Sequence, residues 1–169
     1  MITAAVLVIF PLCMAMAACN DLLTMTIPNR LSIILVVAFL CVSPLAGLDL
    51  MEIGMHLGAG LVVFACGFGL FALRIMGGGD AKILAASAIW FGWNPSLIAY
   101  FVYVAELGGA LSIVVLMLRA NSNLIAVARL PVPQTMLHAK KVPYGVAIGI
   151  AAFIAFPASP LFKLAVGVL

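Results

Sequence analysis

Long apolar runs constrain this chain more than anything else in it. Near 2–20, 31–48, 54–73, 97–118 and 144–167 the sequence stays apolar for 18 to 24 residues at a time. A helix crossing the hydrocarbon core of a bilayer needs about 20 such residues, within roughly 17–25. In lipid the backbone must satisfy its own hydrogen bonds, and a helix does this within one segment. Composition supports the same reading: 67% of residues are hydrophobic and 8% are charged. Eight Lys/Arg and five Asp/Glu cannot cover the surface of a soluble chain of 169 residues. A soluble enzyme, a disordered tail and a nucleic-acid binder, which needs a basic face, are excluded. The expectation is an all-α, polytopic membrane helix bundle forming one domain over residues 1–169, with the lipid bilayer as its surroundings.

A sixth, shorter apolar stretch runs from Ile83 to Trp93 and is interrupted at Asn94-Pro95. Proline and the residue before it disfavour continued helix. Residues 83–118 are therefore expected as two helices in a tight hairpin, giving six spans. The fourth is short and either tilts or starts inside the membrane. Six spans put Arg30, Arg74, Lys82, Arg119, Arg129, Lys140 and Lys141 on one side and only Lys163 on the other. Basic residues gather on the cytoplasmic side of a membrane. Both termini are thus expected outside, in a multi-pass protein.

Cys13, Cys19, Cys41 and Cys66 lie in apolar runs, form no CxxC pair and are read as small packing residues. The N-terminal run has no basic residue before Arg30, so residues 1–20 are read as a retained first span rather than a leader. The connection 119–143 alternates apolar residues with Arg129, His138, Lys140 and Lys141, and is expected to lie along the interface. His56 is likewise placed at the interface, near the outer end of the third span. Gly54-x-x-x-Gly58 and Gly145-x-x-x-Gly149 have the small-xxx-small spacing that lets helices approach.

With five acidic residues, each can be judged singly. Asp49 and Glu52 fall in an outer loop and are read as solvated. Glu106 falls in the middle of the fifth span, where an ionisable group is costly and marks a functional candidate. Its bland alternative is a structural Glu facing the bundle interior. Asp21 stands where the first helix ends, and Asp80 where the fourth begins, both at the cytoplasmic edge. Asp21 is followed by Ile27-Pro28-Asn29, where the proline sets the start of the second span. Asp80 follows Gly77-Gly78-Gly79 and precedes Lys82. Three glycines there permit backbone conformations closed to other residues and close approach of another chain. Asp80 gains from the helix dipole. Two carboxylates converging in a partly dry site hold one proton between them, giving one acid and one base near neutral pH. That is the logic of aspartic proteases, which need no metal or cofactor. HExxH and GxSxG are absent.

At these residues the chain resembles a known family. Gly77-x-Gly79-Asp80-x-Lys82 is similar to the GxGDxK motif of type IV prepilin peptidases, the GxGD aspartic proteases of bacterial membranes. Asp21 with Ile27-Pro28-Asn29 resembles the other catalytic aspartate of that family and its IPN, and Pro143-Tyr144-Gly145 its Pro-aromatic-Gly step. The resemblance implies an endopeptidase with Asp21 and Asp80 as catalytic residues and Pro28, Asn29, Gly77, Gly79 and Lys82 as supporting motif. It implies no cofactor and no metal. The implied substrate is a prepilin, cut between its basic leader and its hydrophobic helix at the cytoplasmic face of the bacterial inner membrane. The larger members carry an extra cytoplasmic region with CxxC pairs between the first two helices. Here that connection is about ten residues without CxxC, so the resemblance is to the short, peptidase-only type of Flp or tight-adherence pili. The competing reading is a small proton-coupled transporter or channel subunit working through Glu106.

Overall fold

A computed structural model describes residues 2–122 and 141–167. Every regular element among them is helical: α1 (Ile2–Thr24), α2 (Asn29–Leu45), α3 (Leu50–Ala72), α4 (Gly78–Phe91), α5 (Pro95–Ala120), α6 (Tyr144–Ala155), a 3-10 turn (Phe156–Ala158) and α7 (Pro160–Val166). The interfacial segment expected around Arg129, His138 and Lys140 lies outside the described residues.

Among the described residues, three helices are long and apolar enough to cross a membrane: 22 residues over Thr3–Thr24, 23 over Leu50–Ala72 and 26 over Pro95–Ala120. A fourth is reached if α6, the 3-10 turn and α7 count as one span, bent by 55°. The run 144–167, expected as one helix, is therefore broken. Pro157 and Pro160 flank the break, and Ser159 between them is extended, with ψ 148°. α2 is apolar but has 17 residues, and α4 has 14. At about 1.5 Å per residue, α4 spans roughly 21 Å, short of a hydrocarbon core of about 30 Å.

The short helix is the centre of the bundle. All residues from Ile83 to Phe91 are buried. α4 lies along α3 and against α2, while α6 is held between α1 and α5. An aromatic knot closes the end away from the acids. Phe10 stacks on Phe156 with centroids 4.1 Å apart and meets Trp90 at 5.2 Å. Trp90 Nε1 donates to the Leu35 carbonyl at 3.1 Å.

Several side chains stand elsewhere than their sequence setting suggests. His56, expected at the interface, is buried against α4. Its Nδ1 lies 2.6 Å from the Ile89 carbonyl at the end of α4, and its ring covers Gly92, where φ is +63°. A late carbonyl of a helix has no backbone partner, and the imidazole supplies one. Asp49 and Glu52 are not merely solvated. They form a capping box on α3, with bonds of 2.7 and 2.8 Å. Only Cys13 packs inside; Cys19, Cys41 and Cys66 are exposed. A Cβ at Gly54 would have nothing within 4 Å, so among the described residues that glycine seats no helix.

Candidate functional site

The loop between α1 and α2 is tied down locally. Thr24 donates to the Asn20 carbonyl at 2.8 Å, and the Thr24 and Thr26 hydroxyls lie 2.7 Å apart. Met25 ends α1 with φ +54°. Pro28 is the extended N-cap of α2, one residue ahead of the first turn, and Asn29 is the first helical residue.

Asp21 is buried one turn before the end of α1. A carboxylate there meets the unfavourable end of its own helix dipole. The head of another helix compensates: the Gly145 N–H, second residue of α6, donates to Asp21 Oδ2 at 2.7 Å. The approach requires a glycine. A Cβ at Gly145 would stand 2.8 Å from Asp21 Cβ and 2.9 Å from Ile27 Cδ1. One turn on, a Cβ at Gly149 would stand 2.9 Å from Ala18 Cβ and 3.0 Å from the Met14 carbonyl. The small-xxx-small pair of α6 thus brings its backbone onto α1.

Asp80 is the third residue of α4 and is partly buried. Gly77, Gly78 and Gly79 precede it, and none has a positive φ. Conformational freedom is not what they supply. A Cβ at Gly77 would stand 2.6 Å from Asp80 Oδ2, one at Gly78 3.2 Å from the Phe71 ring, and one at Gly79 3.2 Å from Ile27 Cβ. The missing side chains let the carboxylate fold over the helix head and let the IPN isoleucine press against it.

Both carboxylates line one cavity of about 270 Å³ with Met25, Thr26, Ile27, Asn29, the three glycines, Lys141 and Val142. Burial first, and then the Asp21 carboxylate, push the Asp80 carboxyl from 3.8 up to about 7. The Gly77 backbone hydrogen bond and the Lys141 ammonium pull the other way. The two motifs are also joined outside the cavity wall: Lys82 Nζ donates to Asn29 Oδ1 at 3.0 Å. Glu106 is exposed on α5 and does not line the cavity.

A polar cavity with two acids, one of them raised to about 7, can take a proton from water and give one to a carbonyl oxygen. The model of the type IV leader peptidase family matches residues 8–118. The chain belongs to that family. It is a membrane-embedded peptidase of the general kind the family comprises. No curated relative and no solved structure matches it. The matched span holds Asp21, Pro28, Asn29, Gly77, Gly79, Asp80 and Lys82, whereas α6, which carries the Gly145 N–H, lies beyond it. Gly145 and Lys141 are the site residues sequence reasoning undervalued. Sequence alone reads Lys141 as a topology and interface charge, and Gly145 as a packing glycine within the Pro-aromatic-Gly step. A carboxylate bound by a backbone N–H leaves no side-chain pattern to read.

Proposed function

We propose that this protein removes the leader peptide of Flp-like type IV prepilins, using Asp21 and Asp80 as an acid–base pair. The observation that carries the reading is the shared cavity. Two acids face one small polar space, each at the head of a helix, and burial with the second acid raises one of them to about 7. In the proposed cycle the Asp21 carboxylate takes a proton from water, which attacks the scissile carbonyl. Asp80 gives its proton to the developing oxyanion. The C–N bond then breaks as the amine leaves with the proton held by Asp21, a hydroxyl of the tetrahedral intermediate returns its proton to Asp80, and the dyad is back in its starting state. Lys141 lines the cavity beside the two acids, and Lys82 acts from outside it through its bond to Asn29.

The proposed topology has six spans with both termini outside, α2 and α4 completing the set, and the cavity at the cytoplasmic face of the inner membrane. The basic residues of the odd-numbered connections support that orientation. The short connection between α1 and α2 supports the peptidase-only type, in a single domain.

Co-expression with a Flp-type prepilin, with leader removal followed by gel shift, tests the proposal. Asp21→Asn and Asp80→Asn are each expected to abolish cleavage while the protein still folds and inserts. Glu106→Gln is expected to retain it, since that side chain is exposed and does not line the cavity. Full processing by both Asn variants refutes the dyad. Loss in Glu106→Gln alone favours the transporter-like reading.

A further inference from the structure

The N–H that meets Asp21 comes from the head of α6, and the position of that head is set from the opposite side by α5. Tyr144, the first residue of α6, lays its ring on Gly108, where a Cβ would stand 2.8 Å from Cε1 and 3.2 Å from Cδ1. Its hydroxyl lies 3.0 Å from Ser112 Oγ. Ser112 donates its single proton to the Gly108 carbonyl at 2.7 Å, so Tyr144 is the donor between the two hydroxyls. Gly108 and Ser112 are one turn apart, which puts the seat of the ring and the acceptor of its hydroxyl on one face of α5. The next residue, Gly145, donates to Asp21. Anchor and donor are therefore neighbours in sequence and point to opposite sides of one helix head. Arg119, at the end of α5, donates to the Lys141 carbonyl at 2.7 Å and ties the entry to α6 onto the same helix.

We propose that Tyr144, seated on Gly108 and bonded to Ser112, is a positioning residue that sets the reach of the Gly145 N–H to Asp21 and so the rate of peptide cleavage. The inference rests on the assignment of Asp21 and Asp80 as the acid–base pair. The seat fixes the ring, and the hydroxyl bond fixes its depth. A hydrogen bond to a carboxylate weakens steeply with distance and angle, so a small displacement of the head suffices.

The test uses purified full-length protein in detergent with a Flp-type prepilin as substrate. Tyr144→Phe and Ser112→Ala should each lower kcat by roughly 2- to 10-fold, the worth of one neutral hydrogen bond. KM should stay within about twofold. The double variant should be no slower than the slower single, because both changes cut the same bond. Ser112→Thr, which keeps the hydroxyl, should restore the rate. With 15N-glycine labelling, the Gly145 amide resonance should move in Tyr144→Phe, a readout independent of turnover. An unchanged kcat, additive losses, or an unmoved Gly145 amide overturns the inference, as does a variant that loses only thermal stability. Asp21→Asn and Asp80→Asn run in parallel. If they cleave normally, the dyad fails and the inference falls with it. If they are inactive while Tyr144→Phe matches wild type, only the inference fails.

Discussion

Replacing Asp80 by asparagine should abolish cleavage and at the same time stabilise the protein at alkaline pH. The Asp80 carboxyl is held at about 7 against an ordinary 3.8, first by burial and then by the Asp21 carboxylate. The folded chain therefore binds this proton more tightly than the unfolded chain. That contribution to stability is fully present below about pH 4 and is lost as pH rises through about 7. At about 1.4 kcal/mol per pH unit, the rise corresponds to at most about 4 kcal/mol. The cavity opens to water and repulsion is shared with Asp21, so about 1–2 kcal/mol is expected to appear. Asparagine has the shape and the acceptor oxygen for the head of α4 but no charge. Thermal unfolding in detergent should show wild type losing stability between about pH 5 and about pH 8, with Asp80→Asn much flatter. At the upper pH the variant should melt roughly 2–8 °C higher. A variant that melts lower than wild type at alkaline pH, or one that keeps the wild-type slope, would refute the claim that the carboxyl is confined beside a second acid.

Other expected outcomes follow from the packing around the site. Gly149→Ala puts a Cβ 3.0 Å from the Met14 carbonyl, which cannot turn aside as a side chain can; a loss of about 1–3 kcal/mol in thermal unfolding is expected. Asn29→Ala and Lys82→Met, taken singly and together, should show a coupling of about 0.5–1 kcal/mol in a double-mutant cycle of stability, because their 3.0 Å bond is exposed. Absence of coupling would mean that the bond contributes nothing. Trp90→Phe removes a fully buried indole and its bond to the Leu35 carbonyl, and should cost about 1–3 kcal/mol by the same measurement.

The site was partly legible because chemistry in a membrane is conspicuous. An acid in a chain with five of them needs a reason to be there, and Asp21 and Asp80 stood out against apolar neighbours. Their surroundings were less legible. The three glycines invited a reading of backbone freedom, yet their φ angles are ordinary and what matters is space for Asp80, Phe71 and Ile27. His56, Asp49 and Glu52 were judged by their distance from the bilayer centre, but each satisfies helix-end groups. The partner of His56 is set by where a neighbouring helix stops, which local sequence does not encode, whereas Asp49 and Glu52 cap their own helix through a spacing that the sequence does display. The break in the last run follows from Pro157 and Pro160, which were visible, but hydropathy averages across them.

Hydropathy and charge alone determined that this chain is a helical membrane bundle, because a lipid environment admits few ways to satisfy a backbone and apolar runs of this length read directly as helices. Tertiary packing alone decided that α4 runs through the middle, that α6 lies between α1 and α5, and that the head of α6 meets Asp21. Those contacts depend on which backbones can come within a few ångströms of each other. Gly145 and Gly149 permit that approach, but only the assembled bundle says toward which helix.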